Sequence, residues 1–344
     1  MPSLSQQLSR VRTTLSVLSA EPIPPGTSMP GTTIVSEHKL TLTRYGRRPT
    51  SKPPVLLVPP PAAPAATYDL RPTQSLVAHL VDQGHAVYLA DYGDISYADR
   101  GMGFEEWIDR IVPRAVSAAS AEAAQSVHIV GWSLGGTLSL LTVAAHPGLP
   151  VASIATIGTP IDYSKLPAIS PLRRAATVTG GRVIGTVNRV MGGVPPWLVR
   201  NSFKLTALER ELTKPWFVLQ HANETVKLEQ MKSVDGFMAA MPAYPGRLFH
   251  QMWHQLMLGN ELANGHVVLG DRRIDLGEIR VPVLAVAGLA DVIAPVPVAH
   301  AITTVLTGAP RLRFETAPGG HVGVLAGPKA PTTTWRFLDE HLAG

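Results

Sequence analysis

The run Val127-His128-Ile129-Val130-Gly131-Trp132-Ser133-Leu134-Gly135-Gly136 decides the fold. Val127 to Val130 reads as a short buried strand, and it leads through Gly-x-Ser-x-Gly into an Ala- and Leu-rich helix that continues to about His146. A serine between strand and helix occupies a sharp, strained turn. The side chains two residues to either side must vanish so that strand and helix can approach, which is what Gly131 and Gly135 supply. The turn presents the serine hydroxyl at a helix N-terminus, where backbone N–H groups favour developing negative charge. Strand and helix context separates this pattern from an accidental Gly-x-Ser-x-Gly in a loop.

Working outward, the chain alternates strands and helices. Thr32 to Tyr45 reads as an edge strand or hairpin, Val55 to Val58 as a buried strand stopped by Pro59-Pro60-Pro61, and Ser75 to Gln83 as a helix. A strand at Ala86 to Asp91, a long amphipathic helix over Phe104 to Ala124 and a strand at Val151 to Gly158 follow. From Asp162 to Asn264 the rhythm becomes helical, then strands resume at Val281 to Gly288 and Leu312 to Thr316 before a closing helix, Thr332 to Leu342. Such alternation predicts an α/β architecture with a mostly parallel sheet, helices on both faces and an inserted helical cap. The expected divisions are an N-terminal amphipathic helix and linker at 1–31, a first core part at 32–161, the cap at 162–264 and a second core part at 265–344.

A serine hydroxyl is a weak nucleophile, so a histidine base and an acid to orient it should follow, in the chain order Ser, Asp, His. Asp291 stands just past the Val281 strand, where sites in parallel sheets gather. His321 stands on a Gly-flanked loop after the next strand. Ser133, Asp291 and His321 are therefore the expected catalytic residues. The oxyanion hole takes one N–H from Leu134 and one from the loop after the Val55 strand, where prolines cannot donate and Ala62 or Ala63 must; Ala62 is preferred. Trp132 and Trp253 are expected to bind substrate.

Composition excludes several classes. The 344 residues contain no cysteine, which removes disulfides, thiolate metal sites and a cysteine nucleophile. With 45% apolar and 16% charged residues the chain can build a large core. A net charge of +5 is too dilute for a nucleic-acid partner without a concentrated patch, and none is expected. The apolar stretches Leu138 to Ile157 and Val281 to Val296 are interrupted by Pro, His and Asp and do not read as membrane spans. Leu4, Leu8, Val11, Leu15 and Leu18 form one apolar helical stripe, expected to dock on the core or a twin subunit rather than to anchor in a membrane.

Several segments together carry a family resemblance: Val58-Pro59-Pro60, Tyr68-Asp69-Leu70, Ser75-Leu76-Val77, Gly84 to Gly93, Gly270 to Leu276, and the Asp291 and His321 motifs. From about Pro53 to its end the sequence resembles the catalytic subunit of a polyhydroxyalkanoate synthase, especially the short class III type. The resemblance implies an α/β-hydrolase fold, a triad at positions 133, 291 and 321, hydroxyacyl-CoA as substrate, and a homodimer or a second subunit. One departure stands out. Those synthases use cysteine in the elbow, whereas this chain has Ser133. A thioester exchanges almost evenly with a CoA thioester, while a serine ester is a deeper resting state, so the expectation moves toward hydrolysis.

The leading expectation is a serine acyl hydrolase of esterase, lipase or depolymerase type, acting on hydrophobic acyl or hydroxyacyl esters or thioesters. No cofactor is expected, with acyl-CoA entering only as substrate. Two alternatives stay open: an acyltransferase or polyhydroxyalkanoate synthase, and a catalytically idle relative that binds granules or lipid droplets. In the cap, Lys165, Arg173, Arg174, Arg182, Arg189, Arg200 and Lys204 come with no acid between them and suit an anionic group or a solvated face equally. Met191, Met231, Met238, Met241, Met252 and Met257, with Trp197, Trp216 and Trp253, suit an acyl tunnel or an ordinary core. His221 and His254 read as single histidines, so no metal site is expected. The expected location is cytoplasmic, in association with a granule, lipid droplet or membrane surface.

Overall fold

The structure, a computed structural model, describes residues 29–46, 52–166, 193–194 and 241–344. The N-terminal stripe, His221, Trp197, Trp216, Met191, Met231, Met238 and all of the seven cap cations except Lys165 lie outside the described residues.

An eight-stranded sheet organises the chain. Its strands are β1 (Gly31–Glu37), β2 (Leu40–Tyr45), β3 (Val55–Val58), β4 (Val87–Asp91), β5 (Val127–Trp132), β6 (Val151–Ile157), then β7 (Val283–Gly288) and β8 (Leu312–Ala317). They lie in the order β1-β2-β4-β3-β5-β6-β7-β8. β1 and β2 form an antiparallel hairpin that closes through Lys39 in the left-handed region (φ 59°), and β2 adds antiparallel to β4. Every pairing from β4 onward is parallel. The chain runs from β3 outward to β4 and then returns to place β5 on the other side of β3. The strand order thus reverses between β3 and β5, the place where parallel sheets gather their sites.

Both faces of the sheet are covered because its strands are apolar on both sides. All four residues of β3 are buried. Leu56 and Val58 join one cluster with Ile129, Leu138, Leu141 and Trp107, while Val55 and Leu57 join the other with Val130, Trp132, Ile157 and Leu338. Burying each such side chain stabilises the fold by about 1.5–3 kcal/mol.

The helices follow the expected positions with instructive departures. α1 (Leu76–Asp82) is capped by the Ser75 hydroxyl, which accepts the Ala78 N–H at 2.9 Å. The helix expected over Phe104 to Ala124 is not uniform: Glu106–Ile111 widens to π spacing before α2 (Val112–Ala123). Pro113 explains it. Proline has no N–H and its ring would strike the carbonyl four residues earlier, and just before it the Val112 N–H reaches five residues back to Trp107. α3 (Leu134–Ala145) follows β5 directly. α4 (Gly246–Gln251) continues into a π turn, Met252–Leu258.

A small antiparallel hairpin, His266–Leu269 with Arg272–Asp275, stands outside the main sheet and was absent from the strand pattern read in the sequence. The strand expected to reach Gly158 stops at Ile157, because Gly158 turns into the left-handed region (φ 57°). Met241 and Met252 are ordinary core residues, one in each cluster. Among the described residues, no helix is long and apolar enough to cross a membrane.

Candidate active site

Ser133 sits between β5 and α3 with φ 54° and ψ −128°, a backbone conformation that L side chains rarely adopt. Its N–H donates to the Ile157 carbonyl at 2.8 Å, which ties the turn to the end of β6. The flanking glycines are required by contact as well as by torsion. A Cβ on Gly131 would lie 2.6 Å from the Gly136 backbone, and one on Gly135 only 2.1 Å from the Val58 carbonyl oxygen of β3.

Three residues far apart in sequence meet here. His321 Nε2 lies 2.8 Å from Ser133 Oγ, and His321 Nδ1 lies 2.8 Å from Asp291 Oδ2. An ionised carboxylate only accepts, so Nδ1 carries the proton and Nε2 is left to accept the serine hydroxyl. The other carboxylate oxygen, Oδ1, accepts the N–H groups of Ile293 (2.8 Å) and Ala294 (2.9 Å). Burial alone would push the Asp291 carboxyl up. The electrostatic pull and Nδ1–H hydrogen bond of His321, with the Ala294 and Ile293 amides, outweigh that and hold it below the usual carboxylate range. Asp291 and His321 are buried, while Ser133 is partly open. Of the expected catalytic residues, the structure brings all three together.

The loop after β3 is held as tightly. Tyr68 donates its phenol proton to the Val58 carbonyl (2.9 Å), and Tyr92 donates to the Pro59 carbonyl (3.1 Å). Pro59, Pro60 and Pro61 carry no N–H, and the Ala63 N–H is taken by the Pro60 carbonyl at 3.0 Å. Ala62 is thus the residue of this loop with an amide to offer. Leu134, as the first residue of α3, has no acceptor for its N–H within the helix.

The two tryptophans expected to bind substrate are both buried. Trp132 is 1% exposed, and its indole N–H donates to the His321 carbonyl at 3.0 Å with its ring 5.1 Å from the imidazole. Its side chain is committed to the histidine loop, not open to substrate. Trp253 is 6% exposed on the π turn after α4, and its indole nitrogen has no hydrogen-bond partner among the described residues. None of the hydrogen bonds or ring contacts around Ser133, His321 and Asp291 includes Trp253.

Lys165 and His254, from the stretch expected to form the cap, are among the described residues. Lys165 is paired with Asp162 at 3.2 Å, and His254 is not single, since its ring lies 4.3 Å from that of His250 one helical turn away. Among the described residues no three His, Asp or Glu side chains form a metal-binding group.

Sequence reasoning missed Gly158 and Thr159. A Cβ on Gly158 would lie 3.4 Å from both Asp291 Oδ2 and His321 Nδ1, so this turn backs the acid–histidine bond closely. The Thr159 hydroxyl donates to the Ser133 carbonyl at 3.1 Å. The signal was the break after the apolar strand at Gly158-Thr159-Pro160, which marks a strand end beside the nucleophile.

A serine turn at the sheet's reversal point, a parallel sheet covered on both faces, and an acid and a histidine at two further strand ends define an α/β-hydrolase. Solved structures agree on the fold. The thioesterase domain from the curacin biosynthetic pathway is 12% identical, with 90% of this chain and all of that one covered at a TM-score of 0.53. A thermophilic esterase from Thermogutta terrifontis is 15% identical, with 94% and 99% covered at a TM-score of 0.51. No protein-family model matches the chain.

Sequence relatives narrow the class. The chain is 29% identical to the poly(3-hydroxyalkanoate) polymerase subunit PhaC of Allochromatium vinosum, covering 91% of this chain and 88% of that protein. It is 26% identical to the subunit of the same name from Cupriavidus necator, covering 84% of this chain and 49% of that protein. The chain thus combines an α/β-hydrolase fold with a sequence similar to those of poly(3-hydroxyalkanoate) polymerase subunits.

Proposed function

We propose that the protein is a serine-nucleophile acyl hydrolase that cleaves hydrophobic acyl or hydroxyacyl esters or thioesters through an acyl-Ser133 intermediate. The observation that carries this reading is the continuous hydrogen-bonded line from Ser133 Oγ through His321 to Asp291. Ser133 Oγ attacks the substrate carbonyl carbon while its proton passes to His321 Nε2. The carbonyl oxygen becomes an oxyanion facing the Leu134 and Ala62 N–H groups. Collapse breaks the ester or thioester bond, and His321 returns the proton to the departing alkoxide or thiolate. Water then attacks the acyl-serine and gives a proton to His321 Nε2; as the acyl–Oγ bond breaks, that proton passes to Ser133 Oγ and the free acid leaves. Asp291 keeps the imidazole in the tautomer that can accept at Nε2.

The polymerase names of the relatives support a hydroxyalkanoate unit as the acyl part, carried on CoA or within a polyester. The same relatives favour a second reading, in which a hydroxyl group replaces water and the enzyme transfers the acyl unit. A partner subunit and a cytoplasmic granule surface belong to that proposal too. Ser133 weighs toward hydrolysis, because an oxygen ester lies lower in free energy than the thioester through which such transfer exchanges evenly. A fluorophosphonate probe should label wild-type protein and not Ser133→Ala; the absence of labelling, or labelling that survives the substitution, overturns the reading. Incubation with a labelled hydroxyacyl-CoA should release free acid, whereas sustained growth of ester product would establish transfer instead.

A further inference from the structure

His321 is carried by a loop that has little stiffness of its own. Gly319 and Gly320 precede it, and Gly319 takes φ 128°, a conformation that L side chains rarely adopt. The backbone is pinned one residue at a time. The Ala290 N–H donates to the Gly319 carbonyl at 3.0 Å and the Val324 N–H to the Gly320 carbonyl at 2.8 Å. The third carbonyl, that of His321 itself, receives a side chain, the Trp132 indole N–H at 3.0 Å. Trp132 precedes the nucleophile in the chain, so this bond ties the base's backbone to the residue beside Ser133 across 189 positions of sequence. The indole ring, 5.1 Å from the imidazole and inclined by 41°, covers one side of it.

We propose that Trp132 is the positioning residue of the base: its indole N–H fixes the His321 backbone, and its ring fixes the plane of the imidazole, so that both Nδ1 and Nε2 stay aligned through the two halves of the reaction. The inference rests on the hydrolase reading above and adds to it the residue that sets the register between nucleophile and base. Ser133 and His321 follow separate strands, and their 2.8 Å bond has to survive as charge moves onto the imidazole. A ring face within about 6 Å attracts that positive charge as it forms. Phenylalanine at 132 would keep an aromatic ring and lose the N–H, and a site-specific benzothienylalanine would keep the bicyclic shape and lose only the donor.

Trp335 provides the internal control. It is buried in the same cluster, and its indole N–H also donates to a backbone carbonyl, that of Leu325 at 2.7 Å, but it has no hydrogen bond to His321. Trp132→Phe and Trp335→Phe therefore remove comparable buried hydrogen bonds. The experiment measures kcat and KM on a p-nitrophenyl acyl ester, the rate of fluorophosphonate labelling, and the downfield proton resonance of the His321 Nδ1–H. Trp132→Phe should lower kcat and labelling by about 3- to 10-fold, the worth of one net hydrogen bond. KM should stay within about twofold, and the downfield proton should exchange-broaden. Trp335→Phe should change none of the three. Equal kcat and labelling in the two variants overturns the proposal. Should Trp132→Phe fail to fold, the benzothienylalanine protein is read by the same three measurements, with wild-type values as the overturning result. Wild-type protein that neither labels nor hydrolyses fails the hydrolase reading alone. The downfield proton then still decides the positioning role, which is overturned if the resonance stays sharp without the indole N–H.

Discussion

Two serine–histidine hydrogen bonds lie at opposite ends of β5, and only one of them has the makings of a site. At the carboxyl end, Ser133 and His321 are 2.8 Å apart; near the start, His128 Nδ1 lies 2.7 Å from the Ser153 hydroxyl of β6. Five residues of strand, about 17 Å, separate the two along β5. The first histidine is bonded at both ring nitrogens, to a hydroxyl and a carboxylate. The second has its Nε2 buried with no partner among the described residues, and the neighbours that shift it are His341 and His85, with no acid among them. Ser133 is partly open on a strained turn, whereas Ser153 is buried on β6 opposite His128, beside a register shift in the β5–β6 pairing. A serine–histidine bond alone is therefore no sign of catalysis; an orienting acid and a reachable hydroxyl make the difference.

The contrast is broken most severely at the nucleophile. Ser133→Ala should lower kcat for ester hydrolysis by about 10⁵-fold or more, measured with a chromogenic ester, because the three residues act as one unit. Asp291→Asn comes next, at about 10³- to 10⁴-fold, since the amide leaves the imidazole in the wrong tautomer while the loop geometry persists.

At the other end of β5 the effect falls on stability. Burial, with the nearby charges of His341 and His85, holds His128 down to about 4; burial, with Arg311 and Arg313, does the same for His341. Both values lie below the ordinary 6.5. The unfolded chain thus binds protons first as the medium is acidified. Stability is complete above about pH 6.5 and declines as the pH falls toward 4, by roughly 3 kcal/mol for each histidine at most. Thermal denaturation across that window should show the decline, and His128→Gln should make it shallower while neutral-pH activity stays within about threefold. The smallest expected effect is Ser153→Ala, with hydrolysis within about twofold of wild type and a stability loss of about 1 kcal/mol.

What could be read in the sequence follows from how local each cause is. The elbow was legible because strand, glycines and helix are contiguous, and Asp291 and His321 because each follows its own apolar strand. The Pro113 distortion had a visible cause but needed the carbonyl geometry of the preceding turn to locate it. The role of Trp132 was hidden, since an indole beside a nucleophile looks like a substrate wall until the loop 189 residues later is placed against it. The outlying hairpin at 266–275 escaped because its four-residue strands include exposed Val268, Arg272 and Arg273 and lie outside the main sheet.

The torsion angles of Ser133 carry a last consequence, for how this protein could be hardened. A residue held at φ 54° and ψ −128° costs about 1–3 kcal/mol of conformational strain unless it is glycine. Ser133→Gly should therefore melt a few degrees above wild type, by differential scanning calorimetry, while having no activity; an unchanged or lowered melting point would show the turn to be relaxed. The most thermostable single variant at this turn would then be an inactive one, so selection for heat resistance alone would drift away from the nucleophile.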